Sequence, residues 1–372
     1  MSDSPILRTF TAESVTEGHP DKVADYIADS ILDAHLEGDR ESRVAIEVLC
    51  KSDQVVLAGE ITSRHLVDYV DVVRAAVREI GYTDPAEPFN ADAVEVVQML
   101  TPQSSQIGKA VDGASSATHE LGAGDQGIMV GYATAETPQL MPLPLVLAHG
   151  LSYGLAEDRK MGAVPWLRPD GKTQVSVRYE GDEPVAVTRV IVSTQYAEGT
   201  PREGLDSYVR DSLAPRVLGE WYGPEIELIV NPSGEFTLGG PSADSGLSGR
   251  KVIVDTYGPL ARHGGGSFSG KDPTKVDRSA AYFCRFVARQ LVRNGLAGRA
   301  EVHVAYAIGR SDPVALAVET FGTGDAATAT EFVRSFDFRP AAIIERLDLR
   351  RPIYRRTTNY GHFGRPGLPW ED

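Results

Sequence analysis

The chain has 372 residues, 42% of them hydrophobic and 24% charged, with a formal net charge of −15. That length exceeds one ordinary core, so two or three domains are expected. The acidity disfavours a nucleic-acid binder, and no apolar run approaches the length of about 18 residues that a membrane span needs. Met1–Arg8 lacks the apolar core of a signal peptide. Two cysteines far apart, Cys50 and Cys284, read as reduced core thiols, and a cytoplasmic protein is expected.

In chain order, Gly18-His-Pro-Asp-Lys22 opens a helix. Pro20 suits its first position, and Val23, Ile27 and Ile31 give it one apolar face. Val44, Ile46 and Val48 alternate as a strand, Ser52-Asp53 turns, and Val55–Thr62 returns as a second strand. Glu47 and Glu60 sit inside these strands, where a solvent-facing carboxylate is ordinary. His65–Ile80 reads as a helix ending at Gly81, and Val94–Met99 as a strand. Leu100–Ala123 has no period and reads as a long functional loop. Gly122-Ala-Gly-Asp-Gln-Gly127 carries Asp125, Ile128–Tyr132 is a strand, and Leu145–Lys160 a helix.

Trp166–Thr173 reads as a turn bearing Asp170 and Lys172, followed by a hairpin of Gln174–Tyr179 and Val185–Val192. Gly204–Leu218 is helical, and Asn231–Gly234 a turn. Gly239–Gly249 is a glycine loop leading through Arg250-Lys251 into a strand at Val252–Val254. Ala300–Ile308 reads as a strand and Phe332–Leu347 as a helix. Strand pairs and helices recur about three times, each beside a glycine loop with Asp or Lys, which suggests three similar α+β units.

The densest stretch is Ala261–Arg278, with four Gly, two Lys, two Arg, one His and two Asp. Glycines let backbone N–H groups approach an anion, and Asp272-Pro273 is expected to cap a helix over 273–294. Gly265–Lys271 fits the glycine and lysine spacing of a P-loop. Asp272, however, stands where that motif places the Ser or Thr that holds Mg²⁺. The P-loop reading is therefore rejected. The loops together carry the acids Asp21, Asp125, Asp170, Asp244 and Asp277. They also carry the bases His19, Lys172, Arg250, Lys251, His263, Lys271 and Lys275. Such a set suits a polyphosphate with a divalent metal. Hydrolase and zinc spacings are missing. The residues alone point to a Mg²⁺-dependent enzyme acting on a nucleotide or polyphosphate.

Gly18–Lys22, Gly122–Gly127, Arg168-Pro-Asp170 with Lys172, Gly239–Lys251 and Gly264–Ala280 together resemble the methionine adenosyltransferase (S-adenosylmethionine synthetase) family, over about Phe10 to Trp370. The resemblance implies an α+β fold of three similar domains around a pseudo-threefold axis, placed at 1–108, 109–237 and 238–372. It implies attack of methionine sulfur on C5′ of ATP, then cleavage of the bound triphosphate to diphosphate and phosphate. Mg²⁺, two per site, and K⁺ would be needed. The assembly would be a homodimer or dimer of dimers with active sites at the subunit interface. His19 would assist departure of the bridging oxygen. Lys172, Arg250, Lys271 and Lys22 would grip the triphosphate, with Lys251 and Asp170 beside them. Asp21 and Asp277 would hold Mg²⁺, and Glu47 would serve K⁺. Glu60, Gln103, Asp125, Asp244 and Lys275 would surround methionine, with Asp125 and Asp244 also near the nucleotide. Phe236 would stack on adenine.

Two departures stand out from the family pattern. The lid usually written Lys-Gln-Ser-Pro-Asp-Ile is Pro102-Gln-Ser-Ser-Gln-Ile107 here. The turn usually written Asn-Pro-Thr-Gly-Arg-Phe is Asn231-Pro-Ser-Gly-Glu-Phe236. A different preference for the methionine analogue or the nucleotide base is the expected consequence.

Overall fold

The structure, a computed structural model, describes residues 6–103 and 120–372. Most of the expected lid, from Ser104 on, lies outside the described residues.

Among the described residues, three sheets make up the fold. Strands β1 (Leu7–Val15), β6 (Leu167–Glu180), β7 (Glu183–Tyr196) and β8 (Glu227–Val230) form one. Strands β2 (Arg43–Lys51), β3 (Gln54–Thr62), β4 (Glu95–Thr101) and β9 (Gly246–Leu247) form the second. The third is β5 (Gly127–Thr134), β10 (Arg299–Tyr306) and β11 (Ala315–Glu319). Each unit reads strand, long helix, hairpin, shorter helix. The long helices are α1 (Pro20–Gly38), α3 (Leu143–Lys160) and α4 (Val276–Arg293), and α2 (Tyr69–Ile80) follows the first hairpin.

The leading strand of each unit pairs antiparallel with the first hairpin strand of another: β1 with β6, β5 with β10, and β9 with β2. This exchange is cyclic, so no sheet is completed by one contiguous unit. It gives the three α+β units their pseudo-threefold relation. The second hairpin strand carries a parallel neighbour twice, β3 with β4 and β7 with β8. The apolar core is divided differently. One cluster runs through α1, the β2–β3 hairpin, α4 and the C-terminal segment, while a second lies between α3 and the β6–β8 sheet.

Period-two patterning is obeyed in β2, where Val44, Ile46, Val48 and Cys50 are buried. Cys284 is buried too, and neither cysteine is in a disulfide.

Several expectations need correction. The helix expected from His65 starts at Tyr69, because the Asp68 carboxylate caps Val70 and Asp71. The turn expected at Trp166–Thr173 is the start of β6. Its Pro-Asp-Gly sequence is absorbed by a register shift between Leu167 and Gly171. Val252–Asp255 is a helical turn, not a strand. The helix expected from Pro273 starts at Val276, since Asp272 spends its carboxylate on the Thr274 N–H and Lys275 Nζ one turn earlier. Helical structure expected over Phe332–Leu347 is two helices, Ala326–Arg334 and Pro340–Arg346, separated before Pro340.

Candidate active site

The N-terminal motifs converge through close backbone packing. A Cβ on Gly18 would lie 2.4 Å from Pro169, and one on Gly246 would lie 2.0 Å from the Pro20 carbonyl oxygen. Both positions therefore require glycine. The Tyr82 hydroxyl donates to the Gly18 carbonyl at 2.5 Å, and Thr16 Oγ1 donates to the Pro169 carbonyl at 2.6 Å. The start of α1, the start of β6 and the 239–249 loop thus form one rigid corner.

His19 caps α1, its Nδ1 accepting the Asp21 N–H at 3.2 Å. Burial, then the nearby charges of Lys251 and Lys172, lower its pKa to about 3. The ring is neutral at pH 7, and with Nδ1 accepting, the proton sits on Nε2. Asp21 takes Lys251 Nζ at 2.5 Å and the Leu247 N–H at 3.0 Å, with Arg250 at 3.7 Å. Burial pushes the Asp21 carboxyl up, but the Lys251 and Leu247 hydrogen bonds outweigh it and hold the pKa below the usual carboxylate range. Asp170 accepts the Gly240 N–H at 2.8 Å, and burial raises its pKa to about 6. Lys172 is exposed, and Asp244 is exposed and accepts the Ser245 N–H at 2.8 Å. Phe236 is half-buried against the second core. It connects to this corner through Gln195, whose Nε2 donates to the Thr237 carbonyl at 3.0 Å and whose Oε1 accepts the Asp170 N–H at 3.4 Å.

Lys22 is placed differently from its expected role. Its ammonium is buried between Asp25 at 3.0 Å and Asp255 at 2.7 Å. It faces the interior of the fold, so the expected grip on triphosphate is corrected to a structural ion pair.

The second constellation surrounds a cavity of about 310 Å³. Glu60, Gln103, Asp125, Lys271, Lys275 and Asp277 line it. The 122–125 turn is pinned by Ala123, which exchanges backbone hydrogen bonds of 2.8 Å with Gly309 and Arg310. The 264–272 loop is pinned on β2. Ile46 N–H donates to the Gly270 carbonyl at 3.0 Å, and Val44 N–H to Asp272 at 2.7 Å. Lys271 bonds Asp277 at 2.6 Å, and Lys275 bonds the buried Asp272 at 2.5 Å. His263 is drawn into the loop as a turn partner, accepting the Gly265 N–H at 2.8 Å.

The two constellations meet along β2. Ala45 borders the cavity opposite Glu60, while Glu47 accepts the hydroxyl of Ser248, two residues before Arg250. The expected metal residues have separate partners: Asp21 has Lys251, Asp277 has Lys271, and Glu47 has Ser248. Among the described residues, no group of three or more His, Cys, Asp or Glu is gathered for a metal.

A further set was missed in the sequence. Asp21, Asp25, Asp29 and Asp33 recur every four residues along one face of α1. Their carboxylates accept backbone N–H groups of Leu247, Gly249, Gly270 and Tyr354 at 2.8–3.0 Å. The i, i+4 spacing of acids on a mostly buried helix was the available signal.

Sequence models of three S-adenosylmethionine synthetase domains match the chain: the N-terminal domain over residues 7–105, the central domain over 120–236 and the C-terminal domain over 238–372. An S-adenosylmethionine synthase of Thermus thermophilus is 53% identical over 382 residues, covering 98% of this chain and 96% of the relative. Those of Akkermansia muciniphila and Desulforudis audaxviator are 52% and 53% identical, each covering 97% of this chain and 94% and 95% of the relative. On the three matched domains and this identity over nearly the whole length, the chain belongs to the S-adenosylmethionine synthetase family.

Proposed function

We propose that the chain is a methionine adenosyltransferase. It joins the sulfur of L-methionine to C5′ of ATP, breaking the C5′–O bond, and cleaves the released triphosphate to diphosphate and phosphate. A thioether is already nucleophilic, so no general base is needed. The barrier lies in alignment and in charge on the departing triphosphate.

The observation that carries this reading is the neutral, buried His19, whose Nε2–H has no partner among the described residues, set among Lys172, Arg250 and Lys251. A neutral N–H donor beside cations can stabilise a developing oxyanion without losing a proton. Lys172, Arg250, Lys251 and Lys271 neutralise the triphosphate, with Asp170 holding the 239–249 loop. Glu60, Gln103, Asp125 and Lys275 take the amino-acid end of methionine, with Asp244 beside the nucleotide. Phe236 stacks on adenine.

The donor set fits Mg²⁺, a hard ion commonly held by one or two carboxylates plus substrate phosphates. Asp21 and Asp277 supply the carboxylates, each beside a lysine that can transfer to a phosphate oxygen. Glu47 with the Ser248 hydroxyl offers oxygens to K⁺. Bound there, the ions supply charge stabilisation for the leaving triphosphate.

The active form is a homodimer or a dimer of dimers, with the 18–22 corner of one subunit facing the 264–277 cavity of another. The outward face of the β2–β4 sheet supports this. It exposes Leu49, Val97, Met99 and Leu247 in register with Glu47 and Glu60. The separate partners of Asp21 and Asp277 support it too. The chain divides functionally at 1–108, 109–237 and 238–372, and acts in the cytoplasm.

A product assay with ATP, L-methionine, Mg²⁺ and K⁺ tests the reading. S-adenosylmethionine formed with equal diphosphate and phosphate is expected. Triphosphate hydrolysis without a sulfonium product, in folded protein, would overturn it.

A further inference from the structure

Tyr82 is a buried titratable side chain that the reaction described above does not use. It lies just past α2, is 2% exposed, and is held at both backbone and ring. Its N–H and that of Gly81 both donate to the Val77 carbonyl at 3.2 Å, and its carbonyl accepts the Ala91 N–H at 2.9 Å. The ring meets Phe89 edge-on, with centroids 5.3 Å apart. Burial raises the pKa of the phenol well above its ordinary value, so the hydroxyl remains a hydrogen-bond donor.

The hydroxyl acts on the peptide unit that leads into His19. Tyr82 Oη donates to the Gly18 carbonyl at 2.5 Å, and the other edge of that peptide, the His19 N–H, donates to the Thr16 carbonyl at 3.1 Å. A peptide unit is planar, so bonds at its two edges fix its rotation and carry the His19 Cα with it. The remaining ties come from α1 itself: the Asp21 N–H on His19 Nδ1 at 3.2 Å, and the Val23 N–H on the His19 carbonyl at 2.9 Å. Thr16, Asp21 and Val23 are sequence neighbours of His19, whereas Tyr82 lies 64 residues from Gly18.

The same oxygen borders the cationic loop. A Cβ on Gly240 would lie 2.1 Å from Tyr82 Oη, so the 239–249 loop is seated on the hydroxyl. The Gly240 N–H donates to Asp170 at 2.8 Å, and the loop runs on to Arg250 and Lys251. Phe89, packed on the Tyr82 ring, donates its N–H to Ser242 Oγ in that loop at 3.2 Å. Tyr82 Oη therefore stands between the peptide that carries the neutral donor and the loop that leads to the cations. Donor and cations must meet one leaving group together, and a misplacement of about 1 Å is enough to cost much of the rate.

We infer that Tyr82 is a positioning residue for adenosyl transfer: its hydroxyl sets the Nε2–H of His19 against the bridging oxygen of ATP, in register with Arg250 and Lys251. The inference rests on the adenosyltransferase reading given above. Buried behind Gly18 and Gly240, Tyr82 acts through His19 and not on substrate. His19 serves cleavage of the C5′–O bond, whereas cleavage of the bound triphosphate depends on the cations. Loss of the hydroxyl should therefore separate the two reactions, which a general loss of stability would not do.

The experiment compares Tyr82→Phe with wild type in the full-length protein. It follows S-adenosylmethionine formation and, separately, hydrolysis of added triphosphate, both with Mg²⁺ and K⁺. A kcat for S-adenosylmethionine lowered about tenfold or more is expected, with triphosphate hydrolysis and the KM values for ATP and methionine within about twofold of wild type. Tyr208→Phe, which deletes a hydroxyl bonded to Asp158 at 2.5 Å beside the second core, should leave the ratio of the two rates unchanged. An unchanged ratio in folded Tyr82→Phe, whether both rates persist or fall together, or an equal fall of the ratio in Tyr208→Phe, would overturn the role of Tyr82. A wild type that forms no S-adenosylmethionine would instead remove the adenosyltransferase reading itself, and this inference with it. Should Tyr82→Phe fail to fold, Phe89→Leu loosens the seat of the ring and keeps the hydroxyl. A selective fall in adenosyl transfer in that folded variant supports the inference, and an unchanged ratio overturns it.

Discussion

The carboxylate of Asp29 accepts the Gly270 N–H at 2.9 Å and pairs with the Arg278 guanidinium at 2.6 Å. Arg278 in turn donates to the Lys271 carbonyl at 3.3 Å. A fully buried ion pair thus brackets the peptide between Gly270 and Lys271, whose ammonium faces the second constellation's cavity. The same helix face holds the other loops through Asp21, Asp25 and Asp33. Helix α1 therefore sets the 239–249 and 264–272 loops relative to one another.

Asp29→Ala leaves Arg278 buried and unpaired, so a stability loss of about 3–5 kcal/mol is expected in denaturant unfolding. It also frees the Gly270 N–H. In protein still folded at low temperature, kcat should fall up to about 10²-fold through misplacement of Lys271. Asp29→Asn keeps an oxygen for Gly270. It should lose stability while retaining much more of kcat. Equal kcat losses in the two variants would show that the Gly270 hydrogen bond does not position the lysine.

His19→Asn preserves a side chain able to cap α1 but shifts and weakens the donor. A kcat loss of about 10²–10³-fold is expected, with little change in the KM for ATP. Because burial and Lys251 lower the His19 pKa to about 3, kcat should show no imidazole titration near pH 6.5. The stability sign follows from proton binding. Between about pH 6.5 and 3 the unfolded chain binds a proton at His19 that the folded chain does not. The wild type should therefore lose stability relative to His19→Asn as pH falls through that window, and match its slope above it. A kcat inflection near 6.5 that disappears in His19→Asn would contradict the neutral ring.

The strands and helices were legible because β2, β3, α2 and α4 carry clear apolar periods. The exchange of β1, β5 and β9 among units was not. Periodicity reports which face is buried, not which hairpin covers the edge, and β9 is only two residues long. Glycine motifs marked the site, yet local sequence could not show that Pro169-Asp170 runs on as strand through a register shift. Lys22 was misread for a similar reason. Its motif neighbours His19 and Asp21 face the site corner, whereas its own ammonium turns inward to Asp255, which lies 233 residues away in sequence.

Glu235 is exposed, its carboxylate 3.4 Å from the Thr237 hydroxyl and one residue from Phe236. A carboxylate there opposes an approaching nucleotide triphosphate. Glu235→Arg should lower the KM for ATP about two- to fivefold at low salt, in keeping with an exposed charge worth at most about 1 kcal/mol. The gain should shrink at high ionic strength, where screening is strong. An identical KM shift at 20 mM and at about 1 M salt would rule out a Coulombic origin.

The division of the site residues gives the sharpest test of the proposed assembly. Lys251 belongs to the corner built on Asp21, and Lys271 to the cavity built on Asp277. Lys251→Ala and Lys271→Ala should each be nearly inactive alone. If one subunit's corner completes another's cavity, co-refolding equal amounts of the two variants yields hybrid dimers. In a twofold dimer one of the two composite sites then contains both mutations and the other contains neither. With random pairing, half the dimers are hybrids, and activity should recover to about a quarter of wild type. Recovery near that level, with dimers verified by light scattering, requires sites shared between subunits. If each site lay within one chain, every site in the mixture would keep one substitution, and no recovery would occur.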